Sequence, residues 1–117
     1  MFRKIRYYNL EGELLREVSA DFPDQSVHAD GKFYRTYSCP VASKDRIVVG
    51  CSNYSYGESV PEFSEFQIWD WKGNLVHRLI VPMKNLTFTV DFSTGMFYAI
   101  SSGSEEEILY CDISEYL

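Results

Sequence analysis

Short runs of aromatic and β-branched residues, each closed by a polar turn signal, recur along this chain. The clearest is Phe66–Leu79, FQIWDWKGNLVHRL, in which Asp70-Trp71-Lys72-Gly73 separates two apolar runs. An Asp at the first turn position accepts hydrogen bonds from the turn's own amides. A Gly at the fourth supplies the positive φ needed by a hairpin with a bulge. The segment predicts strand, turn, strand. The pattern also occurs at Ile5–Val18, with Asn9-Leu10-Glu11-Gly12 as its turn. It recurs at Ile108–Leu117, where Asp112-Ile113-Ser114-Glu115 keeps the Asp and lacks the Gly.

A second hairpin type alternates with the first. Tyr37–Val41 leads through Ser43-Lys44-Asp45-Arg46 to Ile47–Cys51, an apolar run of the kind buried on both faces. Its counterpart is Leu86–Phe92, Ser93-Thr94-Gly95 and Met96–Ser101. Setting Val41 on Val90 places Val48 on Phe97 and Ser52 on Ser101, a constant shift of 49 residues. The first hairpin type repeats with a shift of 61 from Gly12 to Gly73 and of 42 from Asp70 to Asp112. The difference lies in the connections, 53–65 against 102–107. Four short strands per repeat with a variable loop are the signature of propeller blades. The expected fold is therefore all-β, with antiparallel four-stranded blade repeats, propeller-like and about two blades long. Residues 1–117 form one domain: 3–18 give the outer hairpin of one blade, 33–80 a complete blade, and 86–113 the inner strands of the next.

The residues Tyr8-Asn9-Leu10-Glu11-Gly12-Glu13-Leu14, Trp69-Asp70-Trp71-Lys72-Gly73-Asn74-Leu75 and Ile108-Leu109-Tyr110-Cys111-Asp112-Ile113 carry a family likeness. Through them the chain resembles the C-terminal part of six-bladed, TolB-like β-propeller proteins of the Bacteroidales type. The resemblance implies an exported or periplasmic protein and brings no catalytic motif with it. The N-terminus itself, MFRKIRYYNL, lacks the apolar stretch of a secretory signal, and no run is long enough for a transmembrane segment.

Charge narrows the partners. Seventeen acidic against eleven basic residues give a formal net charge of −6, which opposes a phosphate backbone. Only Arg3, Lys4 and Arg6 cluster, so nucleic acid is not an expected partner. Cys39, Cys51 and Cys111 lack the short spacing of a zinc or redox site, and read as small hydrophobes in strands.

Candidate chemistry is sparse. His77 takes the place of Arg16 in the hairpin repeat and reads as a structural or solvent-facing residue. His28 with Asp30 offers two ligands without a third. Gly57-Glu58-Ser59 is not a nucleophile elbow, and no Gly-rich phosphate loop occurs. Asp91 alone is acidic within an expected inner strand, too little for an axial metal site. The long connection carries Tyr54, Tyr56 and Phe63 beside Glu58 and Glu62. Of these, Tyr54, Tyr56, Glu58 and Phe63 are the candidate partner surface, because propeller loops gather at the rims. The expectation is a non-catalytic binding or scaffolding module for a protein or small ligand, with no cofactor and no metal. A metal-dependent propeller hydrolase or lactonase is the alternative. Incomplete blades at both ends further predict self-association through open blade edges, most simply as a symmetric dimer.

Overall fold

In the computed structural model the described residues are 5–18, 33–55, 62–84, 86–101 and 104–117, with 33–38, 52–55 and 104–106 described by backbone alone. They form nine strands in three antiparallel sheets. The first sheet pairs β1 (Ile5–Tyr8) with β2 (Leu14–Val18). The second takes β3 (Phe33–Ala42), β4 (Arg46–Ser55), β5 (Ser64–Asp70) and β6 (Leu75–Val81) in sequence order. The third contains β7 (Leu86–Asp91), β8 (Met96–Ser101) and β9 (Ser104–Asp112), also in order. The protein is thus all-β, and its sheets of two, four and three strands are blade-like.

The turns explain why the hairpins close where they do. Asp70 Oδ1 accepts the amides of Lys72 and Asn74 at 2.9 and 2.8 Å, while the Asp70 carbonyl accepts Gly73 N–H at 3.3 Å. Asn9 repeats this: Oδ1 accepts the amides of Glu11 and Glu13 at 3.0 and 2.9 Å, and its carbonyl accepts Gly12 N–H at 3.1 Å. Gly12 and Gly73 have φ of 83° and 89°, the left-handed region that an L side chain resists. Both hairpins carry their bulge at the same place, between Tyr7 and Tyr8 and between Ile68 and Trp69. The shift of 61 residues therefore holds bond by bond.

Two expectations need correction. The last hairpin does not form: after β9 the chain enters a short 3₁₀ turn, Ser114–Tyr116, in place of an outgoing strand. The shift of 49 also fails. Arg46 pairs with Asp70 as Met96 pairs with Asp112, so Ile47, not Val48, corresponds to Phe97, a shift of 50. Ala42 pairs with Ile47 and Val90 with Phe97, so the preceding strand shifts by 48. The β7–β8 turn is two residues longer, and a single average shift put every side chain on the wrong face.

The sheets stack face to face, with the second in the middle. Its front, turned to the first sheet, presents Ile47, Val49 and Trp69, which bury with Tyr7 and pack Ile5, Val18 and Leu75 around them. Its back presents Val48, Phe66 and Ile68, which bury with Val90, Phe97, Ala99 and Ile113 of the third sheet and the turn after it. Phe66 meets Phe88 and Phe97 at centroid distances of 4.7 and 4.8 Å. Fully burying an aliphatic or aromatic side chain of this size is worth about 1.5–3 kcal/mol, so these two cores carry the fold. Covered on both faces, β5 is buried at five consecutive residues, Glu65–Trp69.

Candidate functional site

The back of the third sheet is built like the back of the second but lies open. Tyr98 pairs with Tyr110 and Ile100 with Ile108 across β8 and β9, so the four side chains share one face. They are 37%, 68%, 42% and 66% exposed. Thr87 and Thr89 extend the face on β7, opposite Ile100 and Tyr98. The equivalents of Ile108 and Tyr110 one repeat earlier, Phe66 and Ile68, are 3% and 0% exposed. Position in the repeat thus makes these residues apolar, while among the described residues no further sheet covers them. Contiguous exposed apolar surface is a character that interaction surfaces share.

A second opening lies between β1 and the inner strands of the second sheet. It is a cleft of about 460 Å³ with Tyr7, Pro40, Ala42, Ile47, Val49 and Trp71 in its walls. Pro40 belongs to a bulge in β3, where pairing jumps from Ser38 to Val41 and Cys39 takes a φ of 51°. Among the described residues, β1 is paired on its β2 side only.

Tyr7 closes the junction of the first two sheets. Its hydroxyl donates to the Asp70 carbonyl at 2.9 Å, and its ring meets Trp71 edge-on at 5.8 Å. Arg16 lies over that ring, with Cζ 5.9 Å from its centroid, and donates to the Lys72 carbonyl. Burial, reinforced by the Asp70 charge, raises the Tyr7 phenol above its ordinary value. At the next junction His77 occupies the position of Arg16 and stacks flat on Tyr116 at 3.7 Å. His77 is half-buried and packs on that ring.

The front of β5 carries a polar chain that sequence reasoning missed. Arg78 Nη2 donates to Glu65 Oε1 at 2.7 Å, and Gln67 Nε2 donates to Glu65 Oε2 at 2.7 Å. The Trp69 indole N–H donates to Gln67 Oε1 at 3.1 Å. Residues 65, 67 and 69 align because alternate positions of a strand share a face. The Glu65 side chain is 1% exposed, so its charge stays buried only because it is matched. That alternation was readable in the sequence; the burial was not.

Of the candidate residues from the long connection, only Phe63 is described with its side chain. Phe63 is 42% exposed just before β5, Tyr54 is placed by the backbone of β4, and Tyr56 and Glu58 lie outside the described residues, as do His28 and Asp30. Cys39 is an exposed free thiol, and Cys51 pairs across the ladder with Tyr37, so the register does not set Cys39 against it. Cys111 packs on the core, and burial raises its thiol above the ordinary value. Asp91 ends β7, where it accepts Ser93 Oγ–H at 2.6 Å and Ser93 N–H at 3.0 Å, bonds that hold its carboxyl below the usual range. Among the described residues no three His, Cys, Asp or Glu side chains are grouped to hold a metal ion, and no helix is long and apolar enough to cross a membrane.

No family model, no curated protein and no solved structure matches this chain.

Proposed function

We propose that this chain is a non-catalytic binding or scaffolding module made of β-propeller blades, of the six-bladed TolB-like kind that its turns resemble. The observation that carries the reading is the open back of the third sheet, where Tyr98, Ile100, Ile108 and Tyr110 repeat a surface that is fully covered one sheet earlier. A blade is apolar on both faces because neighbours cover both. An uncovered one is a surface in want of a partner, and self-association is the simplest way to supply it. Four of the described carboxylates support binding over catalysis: Asp70, Asp91 and Asp112 hold their own turns, and Glu65 is committed to Arg78 and Gln67.

Metal analysis of the purified protein, with a hydrolase and lactonase screen run with and without chelator, tests this reading. The expected outcome is no chelator-sensitive turnover. A stoichiometric metal whose removal abolishes turnover overturns it in favour of a metal-dependent propeller hydrolase.

A further inference from the structure

The two junctions between sheets follow one rule, and it specifies a third. Tyr7, Ile68 and Tyr110 occupy one position of the hairpin repeat, on the back of the first, second and third sheets. Leu10, Trp71 and Ile113 occupy another, the residue after the turn's Asn or Asp. At the first junction the Tyr7 ring meets Trp71 of the following sheet. At the second, Ile68 and Ile113 sit in one buried cluster. Among the described residues, Tyr110 has no sheet behind it and Leu10 has none before it. They are 68% and 104% exposed.

Resting on the reading of these sheets as blade repeats, we infer that the back of the third sheet is covered by the first sheet of a second copy, head to tail, with Tyr110 of one copy against Leu10 of the next. The front of the first sheet has the required character. Tyr8 and Leu14 stand there as a cross-strand pair, each 53% exposed, in the places held by Trp69 and Leu75 in the second sheet. The polar contact carries over as well. Tyr7 donates to the Asp70 carbonyl, and Asn9 is the Asp70 of the first turn, so the Tyr110 hydroxyl donates to the Asn9 carbonyl of the second copy.

Electrostatics permits this contact. A chain of net charge −6 repels its copies, but Thr87, Thr89, Tyr98, Ile100, Ile108 and Tyr110 carry no charge. On the facing surface Arg6 is neutralised by Glu17 at 2.6 Å. A head-to-tail contact uses a different surface of each copy, so it propagates to a ring where the rotation closes and to a filament where it does not. A symmetric dimer would bury the third sheets against each other and leave Leu10 in water.

Two single substitutions at exposed positions separate these cases. Leu10→Glu spoils the front of the first sheet, and Ile108→Glu spoils the back of the third. Sedimentation velocity from micromolar to submillimolar concentration should show wild-type mass rising beyond two chains and each variant monomeric. Their equimolar mixture should form a two-chain species and stop, because one intact surface of each kind remains. Melting curves confirm that each variant is folded, and Tyr98→Glu replaces Ile108→Glu should the latter lower the melting temperature. A monomeric wild type, a monomeric mixture, or a Leu10→Glu protein that associates like wild type overturns the inference. None of these outcomes bears on the chelator screen, so the two readings fail separately.

Discussion

At the scale of single residues, the three described glycines at positive φ differ in what surrounds them. A Cβ at Gly12 would meet nothing within 4 Å. At Gly73 it would lie 2.7 Å from Val18 Cγ1, because the first sheet is seated against that turn. At Gly95 it would lie 2.8 Å from the Ser114 Cα, a backbone atom that cannot turn aside. The left-handed conformation alone costs an L residue about 1–2 kcal/mol. Alanine substitutions should therefore destabilise in the order Gly95, Gly73, Gly12, with Gly12→Ala near the backbone cost and the other two above it. Lys72→Val, at an exposed turn position with ordinary φ, should be close to neutral. Urea unfolding of the four variants checks this, and equal losses at Gly12 and Gly73 would show that the hairpin is not seated on the turn. The positive φ at Gly12 and Gly73 was legible from the Asn/Asp-to-Gly spacing, whereas the clashes were not. They depend on Val18, 73 − 18 = 55 positions from Gly73, and on Ser114, 114 − 95 = 19 positions from Gly95.

At the scale of elements, each hairpin was legible because its turn chemistry is local, but the register between sheets was not. A two-residue difference between the β3–β4 and β7–β8 turns is invisible to an averaged shift, yet it decides which of Ile47 and Val48 matches Phe97. The apolar run Ile47–Cys51 did signal a strand covered on both faces, and β4 gives Val48 to one core and Ile47 and Val49 to the other. The first hairpin shows what seating contributes. Two strands alone are marginal in water, and only Tyr7 of this hairpin is fully buried. Tyr7→Ala should release β1 and β2 while leaving the second and third sheets folded. Hydrogen exchange should then show residues 5–18 losing protection, with β4, β5 and β8 protected as in wild type. Tyr7→Phe removes only the bond to the Asp70 carbonyl, worth about 1 kcal/mol, and should keep the hairpin docked. Loss of protection throughout after Tyr7→Ala would mean that the hairpin is integral to the core.

At the scale of the whole molecule, the middle sheet belongs to both cores, so the turns that fix its neighbours bear on global stability. Folding holds three turn carboxyls below their usual range: Asp70 through Asn74, Asp91 through Ser93 and Asp112 through Ser114. The unfolded chain then binds more protons than the folded one at acid pH, so stability rises with pH there. The contribution is complete above the ordinary carboxylate pKa of about 4 and is lost as pH falls through the lowered native values. Melting temperature should hold from neutrality to about that point and descend below it. Asparagine keeps the Oδ1 acceptor and does not titrate, and Asn9 already serves the first turn this way. The double variant Asp91→Asn, Asp112→Asn should therefore melt near wild type at neutral pH and show a shallower acid limb. Calorimetry across the pH range decides it: acid limbs of equal slope would place the proton-linked stability outside the substituted turns.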